Sequence, residues 1–347
     1  MPIKILSIDG GGTRGLFPAT LLTQLEKDLG KRVTEVFDVI IGSATGGIIA
    51  TALAAGLPTE QIRNIYQNEA RDLLPRNIFR QFILFNPLNL FRSKYSNIGL
   101  YKALEKHVGT SKTLDDVHML FGEKPVFLIP TLALNPLLMA GEIPGFKVVI
   151  YNSASEQDKN LKLIDIALRT SAAVVNLPIY QDFAEGGNYA NDPCVFGLSF
   201  ALNDQPDTQH VSRLQNQKLG LAQKPSDIKL LSLGCGSTGA SFFPEHQLKN
   251  PDWGLLKWQR YLISLVIDSN MVANQYLTRE ILPKENYLRI NVFYKSESAP
   301  KILSTKKLRI DVTDPKQLAA IRQYAEETYV NRKAEILSFI QKPGNGK

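Results

Sequence analysis

"IIGSATGG", residues 40–47, ends a run of β-branched residues in a glycine-rich turn and leads directly into the apolar segment "IIATALAAG". This order predicts a strand, a sharp turn and a helix, the setting in which a G-x-S-x-G motif holds a serine nucleophile. Residues 42–46 fill that frame, but Ala44 stands where the serine should be. The hydroxyls of Ser43 and Thr45 point elsewhere on such a turn, so neither is expected to replace it. The stretch therefore predicts a nucleophile elbow without its nucleophile.

A second glycine-rich turn, "DGGGTRG", covers residues 9–15 and follows the apolar strand candidate "IKILSID". Its successive glycines leave backbone N–H groups uncovered beside a helix N-terminus, which favours a bound anion. Gly10, Gly12 and Gly15 satisfy G-x-G-x-x-G, so one possible anion is a dinucleotide pyrophosphate, and the other is the oxyanion of an ester's tetrahedral intermediate. A dinucleotide site has an acidic residue at the tip of the second strand, whereas Asp38 lies inside it. This favours the oxyanion.

A third glycine-containing stretch, "AEGGNYANDP", spans residues 184–193 and places Glu185 before Gly186 and Gly187 in a predicted turn. None of the four histidines lies in a glycine-rich motif, so a Ser-His-Asp relay has no evident base. A carboxylate acting directly on a serine is the remaining option. Taken alone, Glu185 would be interpreted as a surface turn residue, and only the other two motifs favour a catalytic role.

Strand and helix signals alternate along the chain, which predicts an α/β fold with a mainly parallel central sheet flanked by helices. We expect residues 10–12 and residue 44 to lie at the carboxyl ends of neighbouring parallel strands and to face one cleft. We also expect a single domain over residues 1–341 and a disordered tail over 342–347. The strand candidates are residues 3–9, 36–42, 125–134, 146–153, 228–236 and 286–292.

The composition is that of an ordinary globular protein of 347 residues, with 44% hydrophobic and 21% charged residues. Its two cysteines fit neither a disulfide framework nor a metal site, and a signal peptide and a membrane span are not evident, so a cytoplasmic location is expected. The formal net charge of +7 favours anionic partners such as phospholipid surfaces. Residues 76–95 mix phenylalanines with Arg80, Arg92 and Lys94, which predicts peripheral contact with an anionic membrane or, alternatively, a buried lid.

The three motifs, in this order, resemble those of the patatin-like phospholipases, whose patterns are D-G-G-G-x-R-G, G-T-S-T-G-G and D-G-G/A followed by A-N-N-P. The stretches "FDVIIG", "TSAA" and "LSLGCG" also match the family. The resemblance implies a patatin-like α/β fold, a Ser-Asp dyad without histidine, and hydrolysis of acyl esters in phospholipids or other lipids. The glycine-rich loops contain no H-x-x-x-H motif and no close acidic cluster, so no metal is expected, and no cofactor is expected either.

The resemblance also assigns roles to positions of this chain. Position 44 is the nucleophile position and position 185 is the general base position, and both depart from the family pattern. Ala44 cannot attack a carbonyl, and loss of a catalytic serine lowers kcat by ~10⁶-fold. Glu185 is one methylene longer than aspartate, which can displace the base by about 1 Å and cost ~10²-fold. The supporting residues are the oxyanion-hole glycines Gly10, Gly11 and Gly12 with Arg14 holding their turn, the elbow residues Gly42, Ser43, Thr45 and Gly46, and the base turn of Gly186 and Gly187.

Two explanations of an inactive lipid acyl hydrolase remain open. Either the serine and the aspartate were replaced in a hydrolase so that lipid is trapped without turnover, or the chain is a natural pseudoenzyme that binds lipid or a partner. The intact glycines favour the first, because only chemistry needs them all. A nucleotide-binding protein is the third alternative. The expected partners are an acyl lipid and, by resemblance to bacterial relatives, a cyclic-nucleotide activator, but no nucleic-acid polymer.

Overall fold

A computed structural model describes residues 2–75, 91–136, 143–239, 249, 252–259, 261–304 and 308–341. Its strands are β1 (Ile3–Ile8), β2 (Val39–Gly42), β3 (Val126–Ala133), β4 (Lys147–Asn152), β5 (Phe183–Glu185), β6 (Ile228–Leu233) and β7 (Tyr287–Ile290). Its helices are α1 (Leu16–Leu29), α2 (Val33–Val36), α3 (Thr45–Ala54), α4 (Thr59–Asn68), α5 (Ala70–Leu73), α6 (Ile98–His107), α7 (Leu114–Phe121), α8 (Leu163–Thr170), α9 (Gly187–Ala190), α10 (Cys194–Leu202), α11 (Leu255–Trp258), α12 (Leu262–Ile281) and α13 (Pro315–Gln341). Short 3₁₀ turns cover Gly12–Gly15, Pro225–Asp227 and Lys284–Asn286.

The described strands form one sheet with the order β4-β3-β2-β1-β6-β7, and β5 also pairs with β3. Strands β3, β2, β1, β6 and β7 run parallel to their neighbours, whereas β4 and β5 are antiparallel to β3. The predicted α/β architecture with a mainly parallel sheet flanked by helices is thereby confirmed. Strand β5 was not predicted, because three residues are too few to show an alternating pattern.

The sheet is buried on both faces, which explains why the sequences of its parallel strands are nearly continuous runs of apolar residues. On one face Leu6, Ile40 and Phe127 belong to the large core that also includes buried residues of α1, α3 and α13. On the other face Ile5 and Ile41 pack in a smaller core with residues of α10. Because helices cover both faces, the open edge at the carboxyl ends of the parallel strands is where loops can form a site.

Two expectations fall on parts of the chain that the structure does not describe. Most of the membrane-contact segment predicted at residues 76–95 lies outside the described residues, since only 91–95 are included. The tail at 342–347 lies outside them as well, and the single-domain assignment of residues 1–341 stays a prediction. None of the described helices has the combination of length and apolar composition that crossing a bilayer requires.

Candidate active site

The two glycine-rich turns lie side by side at the carboxyl edge of the sheet. Strands β1 and β2 are parallel neighbours, and Ile8 pairs with Gly42 at their carboxyl ends. The chain leaves β1 through the turn at residues 9–15 and leaves β2 through the elbow at Ala44. Both turns line one cavity of about 270 Å³, which Glu185 also lines. The expectation that residues 10–12 and residue 44 face one cleft from neighbouring parallel strands is confirmed.

The turn between β2 and α3 has the close backbone approach that an elbow requires. A Cβ atom placed on Gly42 would lie 2.1 Å from the carbonyl oxygen of Gly46. A Cβ atom on Gly46 would lie 2.1 Å from the carbonyl oxygen of Ile8. Ala44 itself has a φ of 49°, a left-handed conformation that is strained for a residue with a side chain. Positions 42 and 46 are glycines because a side chain at either one would collide with the backbone.

Hydrogen bonds from α8 and α4 hold the elbow in place. The Ala44 N–H donates to Thr170 Oγ1 at 3.1 Å, and the Thr170 hydroxyl donates to the Pro130 carbonyl at 2.6 Å. The Thr45 and Tyr66 hydroxyls are 2.5 Å apart, so the Thr45 oxygen is already engaged. Ser43 is fully buried, and its Oγ has no hydrogen-bond partner among the residues that the structure describes. The hydroxyls beside Ala44 therefore belong to the packing of the elbow.

The glycine turn after β1 offers two free backbone donors. The Gly10 N–H donates to the Asn191 carbonyl at 2.9 Å. Across the part of the chain that the structure describes, the N–H groups of Gly11 and Gly12 make no hydrogen bond. The sequence predicted oxyanion donors from all three glycines, whereas the N–H of Gly10 already serves to anchor the turn. Of the three glycines, Gly11 and Gly12 therefore keep N–H groups that are available to a bound anion.

Close packing explains the glycines of this turn. A Cβ atom on Gly11 would lie 2.3 Å from the Cβ of Cys235, and Gly12 has a φ of +61°. The Arg14 Nε donates to the Gly11 carbonyl at 3.4 Å, which agrees with its predicted role in holding the turn. A Cβ atom placed on Gly10 would lie 2.3 Å from Asn191 Oδ1 and 3.3 Å from the Ala44 Cβ, so a side chain at position 10 would crowd both Asn191 and the elbow.

A buried ion-pair network lies beneath the glycine turn and was not predicted. Arg289 on β7 donates from Nη1 to Asp9 Oδ1 at 2.8 Å and to Ser232 Oγ at 2.6 Å. The same nitrogen lies 3.2 Å from Asp192 Oδ2. Burial raises the pKa of Asp9 to about 7, although the charge of Arg289 lowers it. The network ties the first residue of "DGGGTRG" to the "NDP" stretch and to β7.

Strand β5 brings Glu185 towards the elbow. Along β3, Leu128 pairs with Ile41 of parallel β2, and Thr131 pairs with Glu185 of antiparallel β5. The carboxyl ends of β2 and β5 therefore face each other along β3, and Ile41 and Glu185 are about 10 Å apart in the strand direction at a rise of ~3.3 Å per residue. Ala44 comes two residues after the end of β2, on the side that faces Glu185. Opposite orientations of two short strands thus bring the predicted nucleophile and base positions to one cavity.

Glu185 is almost fully buried and only 7% exposed. Burial raises the pKa of its carboxyl group to about 7, and a hydrogen bond from the Val174 backbone N–H opposes this rise. A carboxyl group with a pKa near neutrality is suited to accepting and returning a proton at physiological pH. The base turn is tightly packed as well, because a Cβ atom on Gly186 would lie 2.9 Å from Ser43 Oγ and 2.3 Å from the Pro130 carbonyl oxygen.

The raised pKa of Glu185 predicts a pH-dependent effect on stability. Between the ordinary glutamate pKa of 4.5 and the raised pKa of about 7, the folded protein binds the Glu185 proton more tightly than the unfolded chain does, so stability falls as pH rises through this window. Glu185→Gln removes this loss. Relative to the parent, we expect the variant to gain up to about 3 kcal/mol of unfolding free energy between pH 4.5 and pH 8. Urea denaturation at each pH measures this gain, and parallel curves for the two proteins would contradict it.

The rest of the cavity wall is mainly apolar. It is formed by residues of α3, α6 and α12 and of the loop before β5, including Ile48, Leu100, Val174, Leu177, Ile267 and Met271. Most of the exposed wall of this cavity of about 270 Å³ is apolar and fits a hydrocarbon chain, and polar residues such as Ser171, Ser264 and Asp268 also line it. A hydrocarbon chain bound along these walls would lie beside Ala44, which lines the same cavity.

Asp38, which the dinucleotide interpretation would need at the glycine turns, lies at the other end of β2. It precedes Val39, accepts a hydrogen bond from the Lys4 backbone N–H at 2.8 Å, and lies 3.0 Å from the Lys124 ammonium group. A ribose-binding acid must lie at the carboxyl end of the strand, beside the glycine turn. The position of Asp38 therefore favours an oxyanion over a dinucleotide pyrophosphate.

Comparison with known proteins gives a consistent result. The family model described as patatin-like phospholipase matches residues 6–194, which include all three glycine motifs. A cGAMP-activated phospholipase of Vibrio cholerae is 28% identical over an alignment that covers 98% of this chain and 95% of that protein. A cGAMP-activated phospholipase of Pseudomonas aeruginosa is 28% identical, with 89% and 84% coverage. Human GIVD cytosolic phospholipase A2 aligns with a TM-score of 0.46 and 11% identity, over 98% of this chain and 59% of that one.

Proposed function

Because this chain belongs to the patatin-like phospholipase family, we propose that its cavity is a lipid acyl hydrolase site in which Ala44 holds the nucleophile position and Glu185 the base position. The mainly parallel sheet flanked by helices is the patatin-like fold that the motifs predicted. One observation carries the proposal: a single, mainly apolar cavity is lined by residues of all three glycine motifs.

The geometry supports a two-step hydrolysis for a serine at position 44. The serine oxygen attacks the ester carbonyl carbon while its proton passes to the carboxylate at position 185. The N–H groups of Gly11 and Gly12 stabilise the oxyanion that forms. Collapse of the tetrahedral intermediate expels the alcohol, which takes the proton back. Water then attacks the acyl-enzyme by the same route and releases the fatty acid.

Ala44 removes the first step and leaves the binding surfaces intact. The elbow, the free N–H groups and the apolar walls do not depend on a hydroxyl at position 44. We therefore propose that the chain binds acyl lipid without hydrolysing it, whether its ancestor lost the serine naturally or the serine was replaced. The test is fatty acid release by the Ala44→Ser, Glu185→Asp variant, whose expected magnitude is given in the Discussion. A folded variant without activity on any acyl ester would contradict the proposal.

A cyclic dinucleotide is the proposed activator, because the Vibrio and Pseudomonas relatives are both cGAMP-activated phospholipases and align over most of this chain. If the regulation is shared, adding cGAMP to the Ala44→Ser, Glu185→Asp variant should increase its rate of fatty acid release from vesicles. Cyclic AMP at the same concentration provides the control for a nonspecific nucleotide effect. Equal rates with and without cGAMP would remove the activator from the proposal and leave the hydrolase site unaffected.

A further inference from the structure

Two exposed leucines and three half-buried aromatic residues lie on and around the short helix α11. Leu255 is 73% exposed and Leu256 is 83% exposed. Isolated exposed apolar side chains are ordinary, so these two leucines become a candidate contact surface only together with the aromatic residues around them. We refer to Trp253, Leu255, Leu256, Trp258 and Tyr261 as the α11 surface.

The aromatic residues of the α11 surface cluster together. The ring centroids of Trp253 and Trp258 are 5.1 Å apart, and those of Trp253 and Tyr261 are 5.8 Å apart. The Lys257 ammonium group lies 4.1 Å from the centroid of the Trp253 ring. Tryptophan and tyrosine prefer the boundary between hydrocarbon and water, because each has an apolar body and a polar tip. A lysine beside them can face lipid phosphates.

The α11 surface continues to the mouth of the cavity. Helix α12 begins at Leu262, directly after Tyr261, and its residue Ile263 lines the cavity while remaining 43% exposed. Val174 and Ile310 also line the cavity and are 42% and 40% exposed. The mouth of the cavity therefore has an apolar rim, whereas a site for a substrate dissolved in water would have a polar one.

Positively charged side chains lie close in sequence to residues that line the cavity. Arg309 is exposed and precedes the rim residue Ile310, and Arg92 is exposed three residues before the cavity residue Tyr95. Together with a net charge of +7, these residues favour a surface that carries negative charge. The same charge disfavours a second copy of this chain as the occupant, since two positive rims would repel each other.

We propose that the α11 surface docks onto a phospholipid bilayer that contains anionic lipid, with the leucines entering the acyl boundary and the mouth of the cavity facing the membrane. This inference rests on the proposed function, because it supplies the route by which a lipid reaches the cavity. A molecule extracted from the bilayer passes the apolar rim directly, so its acyl chain is not exposed to water.

Vesicle sedimentation of the Ala44 protein tests the proposal without any catalytic step. We expect binding to vesicles of phosphatidylcholine and phosphatidylglycerol that weakens with added salt. Leu255→Ser with Leu256→Ser should lower the partition coefficient by about tenfold or more, since two side chains no longer enter the apolar layer. Met119→Ser with Leu120→Ser is the matched control, because those residues are also adjacent, apolar and 78% and 59% exposed. This control pair should bind as the parent does.

The outcomes separate docking from the alternatives. Equal vesicle binding by the Leu255→Ser, Leu256→Ser protein, or equal losses in both serine pairs, would overturn the proposal. A dimer in light scattering that only the Leu255, Leu256 pair disrupts would assign the surface to a second copy of the chain instead. In the Ala44→Ser, Glu185→Asp background, the same pair should slow hydrolysis of vesicle lipid but not of a water-soluble short-chain ester. Inactivity of that background on both substrates would contradict the proposed function and leave the binding result valid.

Discussion

Ala44→Ser combined with Glu185→Asp should raise fatty acid release from phospholipid vesicles by up to ~10⁶-fold over the Ala44 protein, because a hydrolase without its nucleophile loses about this factor. The structure offers three reasons for a large gain. The elbow already has its strained backbone, with a φ of 49° at Ala44. The N–H groups of Gly11 and Gly12 are free to bind an oxyanion. A serine adds one oxygen beside a cavity that Glu185 already lines.

Single variants measure how much of this gain in fatty acid release comes from position 44 and how much from position 185. Ala44→Ser alone should raise activity by up to ~10⁴-fold and remain ~10²-fold below the double variant, because glutamate displaces the base by about 1 Å. Ala55→Ser adds a hydroxyl just beyond the far end of α3 and is the matched control, which should stay at background. A gain in the control as large as that at position 44 would show that the activity does not depend on the elbow.

Arg289→Met should destabilise the fold by about 3–5 kcal/mol at pH 8, because removing one partner of a buried ion pair leaves an uncompensated charge. The Arg289 guanidinium contacts Asp9 and Asp192, which are 2% and 0% exposed. Urea denaturation measures the loss. Arg322→Met removes a half-exposed helix pair with Glu326 and should cost less than about 1 kcal/mol.

The loss from Arg289→Met should also depend on pH. Burial already raises the pKa of Asp9 to about 7, and removing the arginine that lowers it raises this pKa further. A protonated Asp9 carries no charge to compensate, so the cost should shrink as the pH falls below 7. A loss that is small at pH 8, or equal at pH 8 and pH 5, would show that the network does not hold the glycine turn in the way the geometry indicates.

The elbow and the first glycine turn could be predicted because their signals are local. Each is a strand, a glycine pattern and a helix within about a dozen residues, so the sequence order already specifies the geometry. The parallel pairing of β1 and β2 then placed both turns at one edge. The engagement of the Gly10 N–H could not be predicted, because its acceptor is the carbonyl of Asn191, far away in the chain.

The placement of Glu185 and of the residues that hold the two turns depends on contacts between distant parts of the chain, which a local sequence pattern does not reveal. Strand β5 has three residues, and only its antiparallel pairing with β3 turns Glu185 towards the elbow. Arg289 lies 280 residues from Asp9 and reaches it through the order of the strands in the sheet. Thr170 belongs to the "TSAA" stretch that matched the family, but its role as acceptor for the Ala44 N–H follows from the packing of α8. The role of the segment at residues 76–95 stays a prediction.

Covalent labelling with a long-chain alkyl fluorophosphonate tests the central claim most directly, because the probe reacts only with a serine that an adjacent base and an oxyanion site activate. For the Ala44→Ser, Glu185→Asp variant we predict one adduct per chain, located by peptide mass spectrometry at residue 44. The Ala44 protein should remain unmodified. A folded variant that stays unlabelled, or an adduct at another serine that lines the cavity, such as Ser171, would contradict the assignment of position 44 as the nucleophile position.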